Sequence, residues 1–356
     1  SVRPRQAVGT APLQPMAPSM QSFLLSERTL ETQLALCAIW AAFWFVAIKA
    51  AAKLYFEPLV RSKPWCEQWT ELNRRTFKAS FFVEFPGQEQ VFEFACLFLA
   101  ILCQHAVGGL LCLPSVFGFT GTAVSALARH GAMCEAGWEL QDVVQRVWQL
   151  IFGGPAGKMK NPPPLLAILA IHHAMGLSMV IPMNIVYGDN RYYHEFVLLL
   201  QGAAFVALLA QTYGFTLDIK SVSGLKQMKV CVTLTLLTML WSRLLRYGLV
   251  GYGLMSTIVA DGNTRMMYLA GTTLCLMSLL NCLFIVDASG KFAKFMKMGH
   301  KDPKVQEAMI QWVSSAHRHS ASGILLTKAQ KEWAKVRGVH NMGLLKRPVV
   351  VANKIQ

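Results

Sequence analysis

The sequence predicts an all-α fold: a polytopic transmembrane helical bundle of about seven transmembrane helices, followed by a basic C-terminal tail. Three observations carry that expectation. First, seven apolar segments, about 33–56, 90–113, 116–138, 164–187, 193–215, 228–250 and 266–286, punctuate the chain. Each is near the ~20 residues that cross a ~30 Å hydrocarbon core. Second, a mean hydropathy of +0.38, with 54% hydrophobic and 15% charged residues, is too apolar for an ordinary soluble chain. Third, 23 of the 34 Lys and Arg fall on the connections 57–89, 139–163 and 216–227 and on the tail from 287. Only 5 fall on 1–32, 114–115, 188–192 and 251–265. Cytoplasmic-type loops carry such an excess. The C-terminus is therefore expected on the matrix or cytosolic side of the membrane, and the N-terminus opposite.

The elements follow in order. Residues 1–32 read as an extended N-terminal arm, because Pro4, Pro12, Pro15 and Pro18 block regular helix up to about residue 26. Ser26 to Thr29 then open the first helix. Residues 33–89 hold the first transmembrane helix and a mixed segment after Pro64. There Trp65, Trp69, Leu72, Phe77 and Phe81 recur at helical spacing beside Arg74, Arg75 and Lys78. An interfacial helix on the inner leaflet has that pattern; so does a helix packed on its own domain. Residues 90–287 form the main bundle, and Pro162-Pro163-Pro164 can lead straight into its fourth helix. Residues 288–356 form a basic extramembrane tail. Lys291, Lys294, Lys297 and Lys301 continue a stripe off the last helix, and short helices are expected near 303–316 and 327–337.

Composition excludes several classes. The net charge of +15 hugs membrane ends and the tail rather than a folded soluble face, so nucleic acid is not the expected partner. Anionic headgroups or other subunits of a membrane complex fit better, reached through 1–32 and 288–356. None of the nine cysteines forms a CxxC motif, and most lie in apolar segments, which argues against a disulfide framework. Ser1 in place of Met is expected from removal of an initiator or from presequence cleavage. The first 26 residues lack Asp and Glu. That suits the mitochondrial inner membrane slightly better than the alternative, the endoplasmic reticulum.

Ionisable residues inside a bilayer are costly and mark candidate sites. Such residues are Glu93 and His105 in the second segment, Arg129, His130 and Glu135 in the third, His172 and His173 in the fourth, and Arg243 and Arg246 in the sixth. Glu139 and Asp142 follow the third segment, and His194-Glu195 opens the fifth. Depth puts Asp142 and Glu139 within reach of the His pair. It matches Arg243 and Arg246 with Glu195 or with a lipid phosphate or carboxylate. Candidate lipid-binding residues are thus His172, His173, Glu139, Asp142, Glu195, Arg243 and Arg246. No metal and no cofactor is expected, because adjacent histidines lack the i, i+4 spacing that lets two ligands share a helix face.

The order of these features resembles the TLC-domain family of membrane proteins. The matching run is Glu139 to Asp142, then Ile171-His172-His173, the turn Gly188-Asp189-Asn190-Arg191, His194-Glu195, Arg243 and Asn281. It covers roughly residues 90–287. The resemblance implies a compact helical bundle with a lipid-holding cavity. In ceramide synthases of that family the paired His is followed by a further His-Asp and another Asp on the next helix. Here that helix reads His194-Glu195-Phe196-Val197-Leu198, with no Asp. The chain therefore looks more like the non-synthase branch.

Two functions are carried forward. One is a non-catalytic lipid-binding protein, acting as an accessory or scaffolding subunit of a larger membrane complex. The other is a lipid acyltransferase with His172 or His173 as base, Asp142 or Glu139 orienting it, and Arg243 holding an acidic head group. A transporter is a poorer fit, since no related halves are visible.

Overall fold

A computed structural model of the chain describes residues 19–299. Most of the N-terminal arm and the expected helices near 303–316 and 327–337 lie outside the described residues. Among those residues every regular element is a helix. In chain order they are α1 Met20–Leu24, α2 Leu30–Arg61, α3 Cys66–Phe81, α4 Gln88–Val116 and α5 Thr122–Phe152. They continue with α6 Gly154–Lys160, α7 Pro163–Tyr187, α8 Arg191–Thr216, α9 Val222–Ala260 and α10 Thr264–Lys297.

Six helices, α2, α4, α7, α8, α9 and α10, are long and apolar enough to cross a membrane. Their outward faces are apolar as well. Phe43, Leu54, Leu110, Val230, Leu237 and Leu279 are each at least half exposed. A soluble monomer does not present so continuous an apolar surface. The chain is an integral membrane protein.

The sixth expected segment, 228–250, runs over Val222–Ala260, while the third differs most in character. The helix there is not 116–138 but Thr122–Phe152, 31 residues long. It carries Arg129, Glu135, Glu139, Asp142 and Arg146, which removes it from the set of apolar helices. It nevertheless runs the length of the bundle. Its first turns meet the α7–α8 connection through Arg129 and Asp189. Its second half meets α7 through Asp142 and His173, and the residues just before α7 through Arg146 and Asn161. Much of the expected loop 139–163 is therefore helix, and Glu139 is a mid-bundle residue.

Side chains fix the helix starts as their types dictate. Thr29, Asn190, Ser221 and Asn263 accept from Thr32 N, Tyr192 N, Gly224 N and Met266 N at 3.2, 2.8, 2.9 and 3.2 Å. Pro162 precedes α7 in extended conformation, and the helix begins at Pro163. Two π-helical stretches, Ala51–Phe56 in α2 and Trp241–Leu245 in α9, each shift the phase of the helical turns beyond them.

Between membrane helices, close approach replaces the hydrophobic drive. A Cβ at Gly108 would overlap the Gln201 side chain of α8, and one at Gly137 would overlap Trp40 on α2. The segment after Pro64 packs inward. Trp69, Leu72 and Phe77 of α3 are buried, and Phe77 meets Phe94 and Phe98 of α4 at 5.0 and 5.1 Å between ring centroids. This decides the open alternative for α3, which covers its own bundle. The N-terminal arm is also shorter than expected, because Met20–Leu24 is helical with Ser19 as its cap. At the other end α10 runs on to Lys297, so the first ten residues of the expected tail belong to the last helix.

Candidate functional site

A cavity of about 290 Å³ lies inside the bundle. It is walled by α4, α5, α7, α8, α9 and α10. Its surface is mainly apolar: Met175, Met179 and Met183 come from α7, Leu254 and Met255 from α9, and Met277 and Phe284 from α10. Flexible thioether side chains suit an occupant of irregular shape. Five acidic, basic or imidazole side chains line it: His105, Glu135, Glu139, His172 and Arg243.

Each is placed by its helix. Glu135 and Glu139 stand one turn apart on α5 and share its inward face. Gln104 Nε2 of α4 donates to Glu135 Oε2 at 2.9 Å, and His105 Nδ1 lies 3.3 Å from the same oxygen. Glu139 is only 1% exposed, and its Oε2 has no hydrogen-bond partner among the described residues. Gly176 of α7 makes the room, since a Cβ there would overlap the Glu139 carboxylate. His172 borders the cavity, and its Nε2 is 3.7 Å from Glu139 Oε1.

His173 points away from the cavity into the α5–α7 seam. Its Nε2 lies 3.0 Å from Asp142 Oδ2. That oxygen also accepts from Arg146 Nε at 2.6 Å, and Arg146 in turn donates to Asn161 at 2.9 Å. A carboxylate so paired is ionised and accepts, so His173 Nε2 is the protonated nitrogen. The ring is fixed further by Trp138, edge-on at 5.6 Å.

The two arginines of α9 differ. Arg246 forms a bidentate pair with Glu195: its Nε bonds Oε1, and a terminal nitrogen reaches Oε2 at 2.8 Å. Neither residue lines the cavity. Arg243 sits in the π-helical stretch, 8% exposed. It donates to Leu200 O at 2.7 Å and Asn281 Oδ1 at 3.2 Å, both neutral acceptors. Its Nε has no partner, and no carboxylate among the described residues pairs with it. A guanidinium is the least expected side chain to be buried without a counter-charge.

Of the seven residues read from the sequence, three therefore line the cavity: Glu139, His172 and Arg243. Asp142 and His173 form a pair behind the wall, and Glu195 and Arg246 form another pair elsewhere. Glu135 and His105 line the cavity but were outside the expected set. The signal for Glu135 was its i, i+4 relation to Glu139.

His194 is a structural residue. Its Nε2 donates to Gly188 O at 2.9 Å and its Nδ1 accepts from Ser115 Oγ at 2.7 Å, which uses both nitrogens. The same end of the bundle holds a second polar cluster. Arg129, buried, donates to Ser26 O at 2.8 Å, Leu25 O at 2.6 Å and Asp189 Oδ1 at 2.5 Å. Arg28 bonds the other Asp189 oxygen at 2.8 Å and the carbonyls of Ile185 and Val186 that end α7. Asp189 lies in the connection between helices. Burial works to raise its carboxyl, but Arg129 and Arg28 outweigh that and hold it below its ordinary value.

No family model, no curated protein and no solved structure matches the chain.

Proposed function

We propose that this protein binds an anionic lipid inside its helical bundle. The observation that carries the reading is Arg243: a buried guanidinium, without a carboxylate partner, lining a mainly apolar cavity. A guanidinium fork suits a carboxylate or phosphate oxygen. The methionine-rich wall suits an acyl chain. A volume of about 290 Å³ is at the lower end of ordinary ligand sites, roughly 300–1,000 Å³. The TLC resemblance points the same way and belongs to the proposal. So does the role of an accessory subunit contacting partners through 1–32 and 288–356, supported by the basic charge of the tail. The distribution of Lys and Arg supports an arrangement in which α5 crosses the membrane as a seventh helix, with the C-terminus on the matrix or cytosolic side.

The test is native mass spectrometry and lipid extraction of the full chain purified in mild detergent. The expected result is a co-purifying acidic lipid, reduced about 10- to 100-fold in Arg243→Gln, the range for a lost charged hydrogen bond. Equal lipid in wild type and variant would sink the assignment.

The second reading, an acyltransferase, is favoured by one observation, the Asp142–His173 hydrogen bond of 3.0 Å. It predicts turnover of an acyl thioester that disappears in both His172→Ala and His173→Ala. Lipid binding without turnover decides for the first reading.

A further inference from the structure

The seam between α5 and α7 contains a polar arrangement that hydrogen bonding does not complete. His173 Nε2 carries its proton toward Asp142, and in the neutral ring Nδ1 then presents a lone pair. The nearest oxygen it faces in Glu139 is Oε1, 3.9 Å away. His172 Nε2 faces the same oxygen from 3.7 Å. Both separations are too long for a hydrogen bond. His173 Nδ1 and Glu139 Oε2 are both buried without a hydrogen-bond partner among the described residues. Buried polar atoms without a partner call for an explanation, and a bound ion is one.

A proton bridges two acceptors roughly 2.7–3.0 Å apart. A metal ion bridges a longer gap, because two ligands each about 2.1 Å from a tetrahedral ion stand roughly 3.4 Å apart. One ligand-type atom from each of Glu139, His172 and His173 lies within 4.8 Å of the others. Closing separations of up to 4.8 Å to that spacing takes a movement of roughly 0.7 Å or less per side chain, which would bring all three onto one ion at ordinary bond lengths. We propose that Glu139, His172 and His173 hold one divalent transition-metal ion, zinc in first place, with a coordination position open to the cavity.

Three features support a built site. Asp142 holds the far nitrogen of His173, the carboxylate–histidine relay that orients metal-binding imidazoles. Gly176, one turn beyond His172, clears the space Glu139 occupies. His172 and Glu139 border the cavity, so a fourth ligand can be water or an oxygen of the occupant. Two imidazoles and a carboxylate suit zinc or ferrous iron and disfavour calcium or magnesium. The objection that adjacent histidines diverge on a helix is met from outside that helix, because α5 brings the third ligand within reach of both rings.

The test uses the full chain purified in mild detergent without a metal-binding tag. Metal analysis should find close to one equivalent of zinc or iron in wild type. Glu139→Gln, His172→Ala and His173→Ala should each lose it, while Gly248→Ala, on an open helix face away from the cavity, keeps it. A second measurement needs no variant. Wild type stripped with a chelator and given cobalt(II) should develop the visible bands of a tetrahedral site, with quenching of Trp138, whose ring touches His173. Added zinc should abolish both. No stoichiometric metal and no cobalt bands in wild type would overturn the proposal. So would metal retained in all three ligand variants, which would place the ion elsewhere. The reading is of metal alone, so it stands or falls separately from the identity of the cavity's lipid.

Discussion

Arg243 and Arg246 are three residues apart on one helix, and their partners give them different roles. Arg246 spends its fork on Glu195. Arg243 lines the cavity, has an unpaired Nε–H and carries a buried charge with no carboxylate in ion-pair contact among the described residues. Replacing such a charge with an apolar side chain of similar size often stabilises a protein. Arg243→Leu should therefore hold or raise the melting temperature of lipid-free protein in detergent, followed by tryptophan fluorescence, while lipid binding is lost. Arg246→Leu should lower it, because Glu195, nearly buried, is left alone. Asp189 gives a pH-dependent counterpart. Its folded value is depressed, so its stabilisation is complete above the ordinary aspartate range, near pH 4, and is lost as pH falls through the folded value. The side chain is 53% exposed, which discounts the effect to about 1 kcal/mol. Asp189→Asn should cost about that much at neutral pH and make no difference at low pH, measured as melting temperature against pH.

At the scale of the helix, small residues set how near the neighbours come. Gly137 faces Trp40 and the backbone of Ala41 on α2, and neither can give way cheaply. Gly137→Ala should destabilise by about 1–3 kcal/mol through overpacking. Gly248 on α9 has no neighbouring atom within 4 Å of an added Cβ. Gly248→Ala should be neutral or stabilising by up to about 1 kcal/mol, since alanine favours helix. Thermal unfolding of the two variants side by side separates tight from open faces. Most helix starts were legible in the sequence, because Pro162-Pro163 and the apolar runs act locally, but α9 and α10 run about ten residues past the expected ends at 250 and 286. The length of α5 was not legible either. Its charged second half reads as a loop until Arg146 and His173 are seen to share Asp142.

For the whole molecule, the pairings define two ends. Asp189, Arg28 and Ser115 with His194 gather at one, and Asp142 and Arg146 with Asn161 at the other. In the proposed arrangement α5 crosses between them, and consecutive long helices alternate in direction. Single cysteines placed at Gly118 and Gly154 should then react with an impermeant maleimide from opposite sides of sealed vesicles. Cysteines at Lys220 and Gly154 should react from the same side. Labelling of Gly118 and Gly154 from one side would remove α5 from the set of crossing helices.

The sequence by itself determined that the chain is a helical membrane protein and where most helices begin. A bilayer requires about 20 apolar residues per crossing and every backbone polar group bonded within its own helix, and both demands are met locally. It also exposed which polar residues would be costly to bury. Only the tertiary structure decided what each of them does. Depth can be counted along a segment, but azimuth depends on helix rotation and on π-helical stretches, which leave no periodic mark in the sequence. That rotation joined Arg246 to Glu195, left Arg243 facing the cavity, and brought Glu139 to His172 and His173.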